Sequence, residues 1–238
     1  MQKVLSSMRK AIEKYNLIQN GDKIAVGVSG GKDSMVLLKA LSDFKKFNLY
    51  NYELYAVTID IYSNEVDYSA LKNYCESLDV PLIIEKTDIK HIVFDIRKEK
   101  NPCSLCAKMR RGALNTVCNR LGCNKLALAH HLQDVVTTFF MSLIFEGRLS
   151  TMLPISYMSK SNITLIRPLY LTDEKKIINA SKNMPILKSK CPANDDSKRK
   201  EIKEFIARIE KEFPLSKKRI ETAILSPENY NLLNNIKK

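Results

Sequence analysis

Residues 23–44 read KIAVGVSGGKDSMVLLKALSDF, and this stretch decides the fold. Lys23 to Val28 is short, apolar and rich in branched side chains, the composition of a strand buried on both faces. Met35 to Phe44 carries apolar residues at helical spacing. Between them lies Ser29-Gly30-Gly31-Lys32-Asp33-Ser34. The two glycines permit a sharp turn and close approach of backbone to a ligand. The unpaired N–H groups at the helix start, at its positive dipole end, suit an anion. Ser29 and Ser34 add hydroxyl donors and Lys32 a point charge. The loop is neither a Walker A sequence, which needs four residues between its glycines and a GK[ST] ending, nor a GxGxxG turn.

Outward from this unit the same alternation repeats. Strands are expected at Lys23–Val28, Glu53–Ile59, Val80–Lys86, Lys125–Ala129 and Thr164–Arg167, with helical patterns near 2–18, 33–46, 67–78, 104–121, 131–145 and 173–182. Strands alternating with helices predict an α/β fold with a doubly wound, five-stranded parallel sheet. Ligands in such sheets bind beyond the carboxyl ends of the strands, at the switch point. After Cys191 the composition changes: residues 198–238 hold 11 Lys or Arg and 6 Glu. Helices near 197–212 and 216–225, separated at Pro214, make this a helical C-terminal extension. It either packs on the domain as a solvated amphipathic helix or reaches toward a partner. The expected division is 1–192 for the nucleotide domain and 193–238 for the basic tail.

Lys and Arg number 39 against 26 Asp and Glu, a formal charge of +13. A polyanionic partner explains such an excess, because each neutralised phosphate releases a counterion; a lysine-rich solvated surface is the competing explanation. No apolar run of about 18 residues is present, so no membrane span is expected. The N-terminus shows helical spacing rather than a leader's compact apolar segment. Six cysteines without a leader predict a reducing, cytoplasmic setting in which they are thiols, ligands or catalytic groups.

Cys103 and Cys106, in Asn101-Pro102-Cys103-Ser104-Leu105-Cys106, are spaced so that both sulfurs can face one metal at the start of a helix. The helix N-terminus favours the thiolate. Cys191, before Pro192, is a third candidate. Cys118 lies on the apolar stripe of the helix 104–121, and Cys75 and Cys123 have no partner at ligand spacing, so these three read as structural. The CxxC alone leaves a redox pair, half a zinc site and an iron–sulfur ligand set all open.

Four further segments stand in order with these: MRKAIEKYNLIQNGDKIAVGVSGGKDS, PCSLCAKMRRG, LGCNKLALAHHLQDV and LIRPL, followed by the lone Cys191. Colinear from about Met8 to Pro192, the set resembles the tRNA 2-thiocytidine synthetase group of the PP-loop ATP pyrophosphatases, which have a HUP-like fold. The resemblance implies that the loop grips the pyrophosphate of ATP and that AMP activates the C2 oxygen of a cytidine in tRNA for replacement by sulfur. It implies Mg²⁺ and a 4Fe–4S cluster held by Cys103, Cys106 and Cys191, with a fourth iron free to carry sulfur. Lys32, Asp33 and Asp134 join these cysteines as catalytic candidates. The ATP-binding candidates are Val28, Ser29, Gly30, Gly31, Lys32, Asp33, Ser34, Thr58, Ile59, Asp60, Ala129, Asp134 and Arg167. Arg167 could instead bind an RNA phosphate, and Arg110 and Arg111 are candidates for RNA. Implied partners are tRNA, a sulfur donor such as a cysteine desulfurase, and a second copy of the chain.

The family's usual GHHxDD stands here as Ala129-His130-His131-Leu132-Gln133-Asp134, so one of two carboxylates is replaced by Gln133. His130 and His131 read equally as helix-start residues and as catalytic groups. Two other functions remain in view. A PP-loop enzyme of other chemistry, a lysidine-type ligase or a thiolase of another nucleoside or small molecule, would not need the three cysteines. A non-catalytic nucleotide-binding or redox-sensing module is opposed by the intact SGGKDS.

Overall fold

The computed structural model of the protein describes residues 1–62, 66–98, 102–187 and 198–226. Two compact units are present, one built from Met1–His131 with Leu153–Ala193, the other from Leu132–Met152 with Asn194–Lys238.

The first unit is an α/β layer structure around a six-stranded sheet. In chain order its elements are α1 (Gln2–Tyr15), β1 (Asp22–Gly27), α2 (Lys32–Lys45), β2 (Tyr52–Asp60), α3 (Ser69–Ser77), β3 (Leu82–Lys86), a π-helix (His91–Arg97), α4 (Pro102–Arg120), β4 (Lys125–Ala127), β5 (Ile155–Met158), β6 (Ile163–Ile166) and α6 (Glu174–Ser181). The strand order is β3-β2-β1-β4-β6-β5. β1 pairs in parallel with both β2 and β4, and β4 with β6.

Alternate residues of each strand enter opposite layers, the consequence of a period of two. Ile24 and Val26 of β1 join the core beneath α1, α2 and α3, whereas Ala25 joins the core beneath α4. Both faces are thus apolar, which is why the strands read as continuous hydrophobic runs.

The sheet departs from expectation at one edge. Five parallel strands are expected; a sixth, β5, pairs antiparallel with β6 from Ile155↔Ile166 to Met158↔Ile163. A tight hairpin makes this possible, with Asn162 in the left-handed conformation at φ 57°. At this edge β5 is only half buried, so it lacks the apolar run that marks the central strands. The start of β3 is also trimmed, to Leu82, because Pro81 has no N–H for the ladder.

The order reverses between β1 and β4, so the switch point is the crevice beyond the carboxyl ends of these two strands. The loop Ser29–Gly31 leaves β1 there, and Ala129-His130-His131 follows β4 at the same edge.

The second unit consists of α5 (Leu132–Glu146), α7 (Lys198–Glu212) and α8 (Ser216–Leu225). Ile202 and Ile206, one turn apart, are the buried residues of α7, and Phe205 meets Phe140 of α5 edge to face at 5.9 Å. Glu210 fixes the turn into α8: its carboxylate accepts from the backbone N–H groups of Leu215 (3.2 Å) and Lys217 (2.6 Å). Both helices of the tail fall where their periodicity places them, on either side of Pro214.

Candidate functional site

The loop after β1 is preformed by its own hydroxyls. Ser34 Oγ donates to the Gly31 carbonyl at 2.9 Å and accepts from the Ser29 N–H at 3.2 Å, while the two serine oxygens lie 3.3 Å apart. Beneath the loop, Thr58 is buried and its hydroxyl donates to the Val28 carbonyl at 2.8 Å. Thr58 therefore buttresses the loop, with its hydroxyl proton committed to the Val28 carbonyl.

Gly30 is required twice over. Its φ of +78° lies in the left-handed region, and a Cβ there would meet the Leu187 side chain at 2.7 Å. Leu187 also donates its N–H to the Gly30 carbonyl at 3.0 Å. Gly31, with φ −74° and ψ 159°, caps α2 at its N-terminus. The first N–H groups of α2 are thereby directed at the crevice, as an anion requires.

Lys32 and Asp33 open α2 as a charged pair. Lys32 Nζ lies 2.8 Å from Asp33 Oδ1 and 3.1 Å from Glu174 Oε1, at the start of α6. Burial works against the ammonium, but the hydrogen bonds and charges of Asp33 and Glu174 outweigh it and raise the Lys32 pKa. The lysine is thus held as a cation. His131, buried after β4, places Nε2 3.8 Å from Asp33 Oδ1, joining the two sides of the crevice.

Asp60 ends β2 at the same edge, 1% exposed. Its carboxylate accepts the Tyr62 N–H at 2.9 Å. The Tyr68 hydroxyl nearby is pushed up to about 12 by burial first and then by Asp60, against an opposing effect of Arg110. Ile59 is half buried and packs into the cores on its side, and Ala129 packs against the opposite core. Asp134 lies in the first turn of α5, in the second unit.

The cysteines divide sharply. Cys103 is exposed and Cys106 half buried, both on the first turn of α4. Cys106 packs with Leu105 and Met109 against Ile61, Ile89, Val93 and Phe94, partly on the π-helix. Burial instead raises Cys75 to about 11, Cys118 to about 12 and Cys123 to about 11, so these remain protonated thiols. Only Cys103 and Cys106 of the five described cysteines fit a metal: one turn apart, at a helix N-terminus, within reach of solvent. Among the described residues no group of three His, Cys, Asp or Glu converges. Cys191 lies outside the described residues.

The level of the thiols follows from the packing of α4. Leu114 approaches the Gly27 position at the end of β1. Cys106 is eight residues earlier, roughly 12 Å along the helix axis at 1.5 Å per residue. Because α4 runs opposite to the strands, its first turn lies past the carboxyl edge, where the loop also sits.

A PP-loop domain model matches residues 2–208. The chain belongs to the PP-loop family. A tRNA-cytidine(32) 2-sulfurtransferase of Citrifermentans bemidjiense is 35% identical over 236 residues, spanning 97% of this chain and 92% of the relative. The protein of the same name from Geotalea uraniireducens is 36% identical, spanning 97% and 94%. Among solved structures, the U34-tRNA thiolase NcsA from Methanococcus maripaludis, with its [4Fe–4S] cluster, superposes with a TM-score of 0.74 at 26% identity, covering 96% of this chain and 80% of that one.

Within this PP-loop protein, Glu174 and Leu187 are contributors that the sequence does not announce. Glu174 is 142 residues from Lys32, and its neighbourhood, Thr172-Asp173-Glu174, reads as an ordinary helix cap; Asp173 indeed accepts the Lys175 N–H at 2.7 Å.

Proposed function

We propose that the protein adenylates the C2 oxygen of a cytidine in tRNA with ATP and then replaces that oxygen by sulfur. The observation that carries this reading is the pairing, at one sheet edge, of a self-bonded PP-loop with two thiols one turn apart on α4, one exposed and one half buried. The names of its relatives, tRNA-cytidine(32) 2-sulfurtransferase, supply the substrate class.

The free N–H groups at the start of α2 and the Ser29 hydroxyl hold the pyrophosphate end of ATP, and Lys32 sets a cation where charge develops as that group leaves. Attack by the cytidine oxygen on the α-phosphorus forms one P–O bond and breaks another, releasing pyrophosphate. An amide-like oxygen leaves poorly; as an adenylate it leaves as AMP when sulfur bonds to C2. Asp33 is the carboxylate for Mg²⁺, and Asp60 with Ile59 borders the nucleoside. A [4Fe–4S] cluster on Cys103, Cys106 and Cys191 supplies sulfide chemistry at neutral pH.

The reading includes a division into a PP-loop domain over 1–192 and a basic tail over 193–238, a cysteine desulfurase or similar sulfur donor, a homodimer and a cytoplasmic setting. Among the described residues no helix is long and apolar enough to cross a membrane.

Anaerobic purification, iron and sulfide analysis, and nucleoside mass spectrometry test the proposal. Iron and sulfide should be lost, and 2-thiocytidine abolished, on replacing Cys103, Cys106 or Cys191 with Ala. Undiminished product from these variants would transfer the chain to a PP-loop chemistry that does not use the cysteines.

A further inference from the structure

Arg167 is the first residue past β6, at the carboxyl edge, and it is 7% exposed. One of its guanidinium nitrogens donates to the Leu153 carbonyl. Its Nε is buried and has no partner among the described residues, and no carboxylate pairs with it there. A buried guanidinium without a counter-ion carries a desolvation penalty that nothing nearby repays.

Another cation stands on an element packed against the same strand. Arg111 is on α4, which packs against β6. One turn further along the same helix face, Asn115 reaches Met158 of β5, fixing that face toward the β5–β6 edge. Burial first, and then the charge of Arg111, pull Arg167 down to about 10. Arg111 is exposed and has no hydrogen bond or ion pair among the described residues. Arg110, the next residue along, acts on Tyr68 beside Asp60.

We infer that Arg111 and Arg167 form a two-pronged site for a phosphodiester of the RNA backbone next to the target nucleotide. This rests on the tRNA reading above and adds where the RNA chain is gripped. Two guanidiniums on packed elements, with no carboxylate paired to either among the described residues, match a phosphate, whose oxygens accept paired N–H donors from planar forks. The position sets Arg167 apart from the loop that grips the pyrophosphate. The loop that holds pyrophosphate follows β1, and Arg167 follows β6, two strands away, roughly 10 Å at 4.7–4.9 Å per strand. The nucleoside-bordering Asp60 lies at the end of β2, on the other side of β1. ATP therefore occupies the β2–β1 side of the crevice and the RNA enters from the β6 side.

The test uses the full chain and unmodified tRNA transcript, with Arg111→Gln, which alters only an exposed side chain, and Arg167→Lys, which keeps the charge and removes the fork. Affinity is measured across a salt series, and ATP affinity is measured separately without RNA. Each variant should bind tRNA about ten- to a hundredfold more weakly, the scale of a lost charge-assisted hydrogen bond. Arg111→Gln should also reduce the slope of log affinity against log salt by about 0.7–0.9, one phosphate contact. ATP affinity should be unchanged. If Arg167→Lys fails to fold, Arg111→Gln alone decides. Wild-type tRNA affinity and salt slope in the variants, or a loss of ATP affinity in place of tRNA affinity, overturns the inference. A wild-type protein that binds ATP but no tRNA overturns the parent reading with it.

Discussion

The two edges of the sheet carry charge in opposite ways. At the amino edge a buried ion pair is spent inside the protein. Asp22 and Lys125, both buried, lie 2.6 Å apart. Asp22 also accepts the Gln19 N–H and the Asn124 amide, and Lys125 donates to the Leu17 carbonyl at 2.8 Å. Cys123 nearby is a buried thiol. At the carboxyl edge the groups are arranged around open space: a lysine between two carboxylates, a pair of arginines without a carboxylate, two thiols within reach of solvent. Similar side chains thus act as fold at one end and as chemistry at the other, and satisfaction of the polar atoms is what separates them.

The largest expected effect that sharpens this contrast is on stability. Asp22→Ala leaves Lys125 buried without its counter-ion and should lower unfolding free energy by about 3–5 kcal/mol. Chemical denaturation should show the loss, while the affinity for ATP of the remaining folded protein should not change. A variant as stable as wild type would break the contrast from the amino side.

From the carboxyl side, Lys32→Ala removes the cation at the leaving group. Pyrophosphate release should fall about 10²–10³-fold, the scale of losing one preorganised charge stabiliser. The midpoint of denaturation should move little, because the Lys32 pairs are partly exposed. An activity loss that merely tracks unfolding would contradict the assignment.

Gly30→Ala should act on both properties at once. Left-handed backbone costs a non-glycine residue about 1–2 kcal/mol, and the new Cβ must displace Leu187. Weaker ATP binding with a lower midpoint is expected; unchanged ATP affinity would show that the loop tolerates rearrangement.

A further effect concerns the buried thiols. Cys75, Cys118 and Cys123 are raised to about 11–12 in the fold, above about 8.5 in an unfolded chain. The folded state keeps these protons longer, so their contribution to stability is complete below about pH 8.5 and is lost as pH rises toward 11–12. Denaturant midpoints measured at pH 7.5 and 10 should show the fall, and Cys118→Ala should shrink it. An equal fall in that variant would remove the thiols as its cause.

The sequence made the carboxyl edge legible wherever its chemistry was local. SGGKDS named the loop, the CSLC spacing set two thiols on one helical turn, and the short continuous apolar runs placed the central strands. Glu174 and Leu187 meet the loop only through tertiary packing, so no spacing could reveal them. Thr58 shows the converse: its position at the edge was evident, but the hydrogen bond that consumes its hydroxyl was not. The half-buried β5 carried too little apolar signal to be seen as a strand. His131, ambiguous as one of a pair, is resolved as the inward member facing Asp33, while the family's two-carboxylate pattern stays reduced to Asp134 by Gln133.

The most direct test follows the fate of ATP labelled at the α-phosphorus, incubated anaerobically with the cluster-loaded protein, unmodified tRNA and sulfide. One AMP and one pyrophosphate for each 2-thiocytidine formed is the predicted outcome. Formation of ADP, or release of AMP without any thiolated nucleoside, would contradict it.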